Sequence, residues 1–270
     1  MDAINIGPLS FRVGLIVTFA AILLGLAVGN RAARARGVRV EPMLWVVIGA
    51  GVLAARIGFV LQYLDMYARA PLGMLNIRDG GFSAPIGAVA AAGAAVWLAW
   101  RDRDRRRPLA VGVLAGAAVG MIGALLTVLL PARQVAMPAL SFSGLDGRTI
   151  RLESLAGKPV VINLWASWCP PCRREMPILR QAQFDHPELT FVFANQGETP
   201  DAVRKYLAAE RIALDNVLLD ARFQLGAATG SQALPTTLFF SAQGKLVERH
   251  PGELSAATLA QRLGSFGAAR

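Results

Sequence analysis

Two cysteines, Cys169 and Cys172, sit in the string Trp168-Cys169-Pro170-Pro171-Cys172. Cys-x-x-Cys is a spacing with a mechanism. Where such a pair opens a helix behind a buried strand, the first sulfur lies beside unpaired backbone N–H groups and the positive end of the helix dipole, and both favour a thiolate. A thiolate there attacks a disulfide and forms a mixed disulfide. The second cysteine, three residues on and within one helical turn, reaches back to resolve it. Pro170 and Pro171 fit the first helical turn, where their missing N–H groups would have had no partners. The alternative chemistry is half of a zinc site. Two cysteines exclude a four-cysteine site, and nothing in the spacing of His186 and His250 suggests a metal.

Neighbouring residues could assist. Glu175 follows Cys172 by three positions, on the same helical side. It is either a solvated helix carboxylate or a partly buried proton acceptor for the Cys172 step. Trp165 and Trp168 are placed to shield the sulfurs, although Trp165 could equally be core. Pro177 falls inside the expected helix and should kink it. Pro235, in Leu234-Pro235-Thr236-Thr237, is an ordinary trans turn proline or a cis proline beside the disulfide.

These side chains need a scaffold, and the pattern around them alternates strands and helices. Val160–Trp165 is an apolar, β-branched run suited to a buried strand. A helix should begin near Pro170 and run past Arg180. Thr190–Ala194 reads as a second buried strand, Pro200–Arg211 as a helix with Val203, Leu207 and Ala208 on its apolar face, and Val217–Leu219 as a short extended piece. Thr236–Phe240 and Lys245–Arg249 flank Ala242-Gln243-Gly244 as a hairpin, and Ser255 caps a last helix to about Leu263. Crossovers followed by a terminal hairpin and helix predict an α/β sandwich with a central mixed sheet flanked by helices.

The preceding residues are different in kind. Phe11–Gly29, Met43–Leu64, Phe82–Trp100 and Leu109–Leu130 are apolar, rich in Gly and Ala, and each of a length to cross about 30 Å of hydrocarbon. They show no polar stripe, so an all-α domain of four transmembrane helices over residues 1–130 is expected, with a linker at 131–138 and the second domain over 139–270. Residues 1–138 carry 14 Lys and Arg against 6 Asp and Glu, and the rest carry 14 against 12, which accounts for the net charge of +10. The excess sits mainly in two runs, Arg31, Arg34, Arg36 and Arg39, then Arg101, Arg103, Arg105, Arg106 and Arg107. Loops between spans explain this better than a nucleic-acid face, and no nucleic-acid motif accompanies it. The positive-inside rule places both runs in the cytoplasm and the N-terminus and second domain outside. No basic leader precedes the first span and no small-residue cleavage site follows it, so it is expected to be retained. Arg56, inside the second span, is either paired within the protein or in contact with a lipid head group.

Two resemblances follow. Gly157-Lys158-Pro159-Val160-Val161-Ile162-Asn163-Leu164-Trp165-Ala166-Ser167-Trp168-Cys169-Pro170-Pro171-Cys172-Arg173-Arg174-Glu175-Met176-Pro177 matches the pattern of the TlpA/ResA family of thioredoxin-like proteins nearly position for position, and the similarity extends from Pro138 to about Leu263. It implies a thioredoxin-like fold, a cis Pro235, Asn163 where cytoplasmic thioredoxins carry a buried Asp, and Glu175 as the acidic residue used instead. It also implies an extracytoplasmic reductase of protein disulfides of the kind used in cytochrome c maturation or copper-site assembly. In the first half, Ile6-Gly7-Pro8-Leu9-Ser10-Phe11-Arg12-Val13-Gly14-Leu15, Ala54-Ala55-Arg56-Ile57-Gly58-Phe59-Val60-Leu61 and Asp79-Gly80-Gly81-Phe82-Ser83 resemble the opening half of prolipoprotein diacylglyceryl transferases, which marks Arg12 and Arg56 as possible lipid contacts. That family's His-Gly-Gly segment is replaced here by Ala84-Pro85-Ile86-Gly87, and its later spans by the redox domain, so a degenerate membrane scaffold is expected and acyl transfer is not.

The expectation is a thiol–disulfide oxidoreductase of the bacterial inner membrane, with its redox domain on the periplasmic side. It needs no cofactor beyond the Cys169–Cys172 disulfide. Its partners would be protein disulfide clients, membrane lipids and, because the spans contain no cysteine, a separate transmembrane thiol electron donor. The alternatives are a dithiol oxidase or isomerase using the same pair, and a lipid-binding or acyltransferase-like membrane protein with an accessory thioredoxin domain.

Overall fold

The computed structural model describes the chain apart from residues 1, 2, 7, 8, 69, 70, 130–134, 232, 269 and 270, and also leaves aside the side chains of 3–6, 9–12, 128, 267 and 268. The chain forms two compact units, one spanning Arg12–Ala132 and the other Arg133–Arg270 together with Asp2–Phe11. A two-stranded sheet, β1 (Ala3–Ile6) and β2 (Leu9–Arg12), opens the chain.

The first unit contains α1 (Val13–Arg34), α2 (Glu41–Gln62), the short α3 (Leu64–Ala68), α4 (Ala84–Arg101) and α5 (Arg106–Leu129). Four of these, all but α3, are long and apolar enough to cross a membrane. The first span starts at Val13 and runs on through Arg31 to Arg34, beyond the expected Gly29. Arginine is a good helix former, and at a helix C-terminus it faces the negative end of the dipole. The fourth starts earlier than expected, at Arg106. Helices α1 and α5 pack together closely, as do α2 and α4. Glycine permits the first approach: a Cβ on Gly25 would come within 2.9 Å of the Gly112 carbonyl oxygen.

The second unit is built on a seven-stranded sheet in the order β4-β3-β7-β6-β5-β8-β9. Its strands are β3 (Ser141–Gly144), β4 (Thr149–Arg151), β5 (Val160–Trp165), β6 (Thr190–Gln196), β7 (Val217–Asp220), β8 (Thr236–Phe240) and β9 (Leu246–Pro251). Strands β5, β6 and β7 run parallel, while β8 joins β5 antiparallel and carries β9. Helices α6 (Pro170–Asp185), α7 (Pro200–Glu210), α8 (Gln224–Thr229) and α9 (Ala256–Ala268) complete the unit. All six residues of β5 are buried. Their alternation feeds two cores: Val161 and Trp165 join Met176, Leu179, Phe239 and Leu259 on one side, and Val160, Ile162 and Leu164 join Phe142, Leu152, Leu218 and Leu238 on the other. The sheet is therefore covered on both faces, as a sandwich with a largely parallel centre requires.

Part of the expected linker belongs to this sheet. Ala136 bridges Lys245, the Met137 amide donates to the Gly244 carbonyl at 2.7 Å, and the Val135 carbonyl accepts from the Leu246 amide at 2.8 Å. The remaining linker residues 131–134 lie outside the described residues. The hairpin β3–β4 and helix α8 have no counterpart among the elements that the sequence pattern predicts.

Candidate redox site

Strand β5 ends at Trp165 and the chain turns through Ala166-Ser167-Trp168 into α6. Cys169 is the N-cap of that helix, with extended backbone, and Pro170 and Pro171 occupy its first turn. The Cys172 amide donates to Cys169 Sγ at 3.4 Å, and the Arg173 amide to the Cys169 carbonyl at 3.1 Å. The two sulfurs are bonded to each other at 2.12 Å. Both cysteines are nearly inaccessible, Cys172 completely so. When the pair is reduced, an amide aimed at Sγ and the helix terminus both favour charge on Cys169 over Cys172.

Glu175 is buried on the inner face of α6. Its Oε1 accepts from Asn163 Nδ2 at 2.8 Å and its Oε2 from the Leu254 amide at 2.9 Å. Burial nevertheless dominates and pushes its pKa up to about 8, against the opposing pull of the Leu254 and Asn163 hydrogen bonds; the charge of Glu253 adds slightly to the rise. Asn163 also donates to Thr237 Oγ1 at 3.1 Å on the neighbouring strand. Beside Leu254, Glu253 pairs with Arg174 at 2.5 Å, so the segment before α9 is pinned to α6 at two successive residues.

The Leu234–Pro235 peptide is cis. Pro235 is buried, and its carbonyl accepts from the Gly252 amide at 2.9 Å. The two tryptophans part company. Trp165 is wholly buried in the same cluster as both cysteines, 5.5 Å from the Tyr206 ring, whereas Trp168 is 64 % exposed. Pro177 lies on the exposed side of α6, which runs through it to Asp185. Having no N–H, Pro177 leaves the Arg173 carbonyl without its usual helical donor.

One acidic residue beside the site was not singled out in the sequence. Glu198, just after β6, accepts through Oε2 from the Ser167 amide at 2.7 Å and from Asn195 Nδ2 at 2.7 Å, and through Oε1 from Ser167 Oγ. It thereby fixes the turn that leads into Cys169. Its pairing across 31 positions in sequence leaves no local signal. Among the described residues, no group of three or more His, Cys, Asp or Glu side chains could hold a metal ion.

The two possible lipid contacts fall elsewhere. Arg12 ends β2, and its side chain lies outside the described residues. Arg56 is turned inward. Its Nη1 donates to Asp79 Oδ1 at 3.0 Å and the Gly81 carbonyl at 2.8 Å, its Nε to the Met74 carbonyl at 3.1 Å, and its Nη2 to the carbonyls of Gly73, Met74 and Asn76. The rings of Tyr67 and Phe82 flank it at 5.5 and 5.8 Å. Protein groups thus engage every donor of the guanidinium. Of the two readings left open for Arg56, these contacts match pairing within the protein, and through them Arg56 organises the loop that joins α2 to α4.

The profile of the redoxin family matches residues 132–262, and that of prolipoprotein diacylglyceryl transferase matches residues 2–144. Among curated relatives, the thiol-disulfide oxidoreductase ResA of Geobacillus thermodenitrificans is 33 % identical over 132 residues, which cover 48 % of this chain and 75 % of the relative. ResA of Bacillus subtilis is 31 % identical over 112 residues, covering 41 % and 62 %. Among solved structures, a thiol:disulfide interchange protein of the thioredoxin family from Chlorobium tepidum is 28 % identical, covers 50 % of this chain and 97 % of its own, and superposes with a TM-score of 0.44. This is a membrane protein with a Cys-x-x-Cys disulfide: it belongs through its second half to the redoxin family of ResA-like thiol-disulfide oxidoreductases, and through its first half to the prolipoprotein diacylglyceryl transferase family.

Proposed function

We propose that this protein is a periplasm-facing reductase of protein disulfides, held at the bacterial inner membrane by its four spans. The observation that carries the reading is the placement of Cys169 at the N-terminus of α6, with the Cys172 amide on its sulfur and the buried Glu175 one turn on. In the reduced state the Cys169 thiolate attacks one sulfur of a client disulfide. The client's other sulfur leaves as a thiolate and takes up a proton. Cys172 then loses its proton, attacks Cys169 Sγ and releases the second client thiolate, so that one client disulfide is reduced and Cys169–Cys172 is oxidised. Glu175, with a pKa of about 8, is close in strength to an ordinary thiol, so the minority that is ionised near neutral pH can take the Cys172 proton in the second step.

Arginine runs at the ends of α1 and between α4 and α5 favour the cytoplasm for those loops, and an even number of spans returns the chain to the side on which it started. The redox unit is then periplasmic, where thiols tend to oxidise. Both cysteines lie in that unit, so the spans have no thiol with which to relay electrons. A separate membrane thiol donor must re-reduce Cys169–Cys172, and the diacylglyceryl-transferase-like half serves as anchor. Residues 1–185 contain no histidine, which argues against acyl transfer by that half. Cytochrome c maturation and copper-site assembly are the client classes that fit a reductase of this kind. The test is Cys172→Ser in cells: Cys169 should hold clients as stable mixed disulfides that dithiothreitol releases. Recovery of no mixed disulfide would reject the reading.

A further inference from the structure

The parallel strands β5, β6 and β7 lie side by side, and their C-terminal ends carry three loops along one edge of the sheet. The first leads to Cys169, the second is Gly197-Glu198-Thr199, and the third is Ala221-Arg222-Phe223. The middle loop is fastened to both neighbours. Glu198 holds Ser167 by its amide and its hydroxyl. On the other side the Phe223 ring lies directly over Gly197, where an added Cβ would come within 2.6 Å of the ring's Cζ.

Phe223 is an odd residue for its place. Its backbone is left-handed, with φ 56° and ψ 28°, a conformation that bulky side chains avoid. Buried Asp220 enforces it: Oδ1 accepts from the Gln224 amide at 2.8 Å, and Oδ2 from the Leu225 amide at 2.9 Å and Gln196 Nε2 at 3.1 Å. Glycine would suit that backbone better, yet a phenylalanine stands there with half of its surface in solvent. On the first loop of the same edge, Trp168, next to Cys169 in the chain, is also largely exposed. Large exposed apolar side chains are few on the described surface of the redox unit, and two of them stand on the first and third of these loops. Strained backbone and grouped apolar exposure at the carboxyl ends of parallel strands both point to a binding edge.

We infer that Trp168 and Phe223 form an apolar ledge on which a client polypeptide rests, and that the ledge selects clients with a large apolar side chain a few residues from the cysteine under attack. Phe223 is the specificity-determining member. This rests on the reading of the protein as a disulfide reductase. A small disulfide such as glutathione disulfide reaches Cys169 without touching Phe223, whereas an extended peptide crosses all three loops.

The test uses the reduced full-length protein in nanodiscs and three substrates: a peptide disulfide with Leu near its cysteine, the same peptide with Ser there, and glutathione disulfide. The wild-type protein should favour the Leu peptide over the Ser peptide. Phe223→Ala should raise KM for the Leu peptide by about five- to tenfold, the scale of losing one apolar contact, leave its kcat unchanged, and leave the other two substrates within about twofold. Phe223→Gly, which relaxes the backbone, should show the same selective loss. The inference is overturned if both variants handle the Leu peptide like the wild type, or if all three substrates fall together. If the wild-type protein reduces none of them, the reductase reading itself fails, and the ledge with it.

Discussion

Asn163 on β5 and Glu175 on α6 are joined by a 2.8 Å hydrogen bond from Nδ2 to Oε1, at a point where neither side chain reaches solvent. The bond gives the carboxylate one of its two donors and ties the central strand to the helix that carries both cysteines. The carboxyl still holds its proton up to about pH 8. Desolvation of a buried charge here outweighs two good hydrogen bonds.

This pair makes stability depend on pH. Glu175 loses its proton near pH 8 in the folded chain, against an ordinary value of 4.5. Between those values the folded state binds the extra proton, so the stabilisation is complete below about pH 4.5 and is lost as pH rises through about 8. The loss is on the order of 3–5 kcal/mol for a group so displaced. Glu175→Gln has no proton to lose, and its stability should stay level across that window. Urea unfolding at pH 5 and pH 9, followed by tryptophan fluorescence, checks this. A wild-type midpoint as flat as that of the variant would contradict it.

Asn163→Ala removes one of the two donors that favour the charged form. The Glu175 midpoint should move further up, by about one pH unit or less, the usual reach of a single hydrogen bond. Carbon-13 NMR of the labelled glutamate carboxyl reads the midpoint directly. A downward shift would mean that Asn163 does not act as donor to the carboxylate.

In the membrane unit, Arg56→Leu would strand Asp79 as a buried charge and leave the carbonyls of Gly73, Met74, Asn76 and Gly81 without their guanidinium partner. Removing one member of a buried pair costs about 3–5 kcal/mol. Thermal unfolding in detergent should show a clear loss for Arg56→Leu and a smaller one for Arg56→Leu combined with Asp79→Asn. Arg56→Lys should not rescue it, because an ammonium cannot serve so many acceptors spread over a plane. Reduction of a soluble disulfide should be unchanged in all three variants.

A membrane half without cysteine sets a further expectation. In sealed vesicles with the redox unit outward, a thiol donor confined to the lumen should not re-reduce Cys169–Cys172, while the same donor added outside should. Re-reduction from the lumen without a second protein would refute the anchor role.

The redox centre was legible because it is local. A buried strand, a Cys-x-x-Cys and a helix follow one another within some twenty residues, and Glu175 lies one turn further on. The flanking strands β5, β6 and β8 were legible for a related reason: each is a short apolar run that needs burial on both faces. What escaped depends on distant partners. The Leu254 amide meets Glu175 across 79 positions, and Thr237 meets Asn163 across 74. Strand β3 is only Ser-Phe-Ser-Gly; pairing with β4 and β7 makes it a strand. Residues 135–137 read as linker because their composition is unremarkable, and only the β8–β9 hairpin gives them a place. Arg56 stood out as a charge in an apolar span, but the convergence of four carbonyls on it is set by the fold of the loop at 73–81.

The direction of electron flow decides between reductase and oxidase, and the equilibrium reduction potential of Cys169–Cys172 in the full-length protein measures it. Equilibration with glutathione redox buffers, followed by thiol alkylation, should give a value more negative than about −200 mV, at or below the poise of glutathione systems. A value near about −120 mV, that of a strong dithiol oxidant, would contradict the account and make the same site a donor of disulfides.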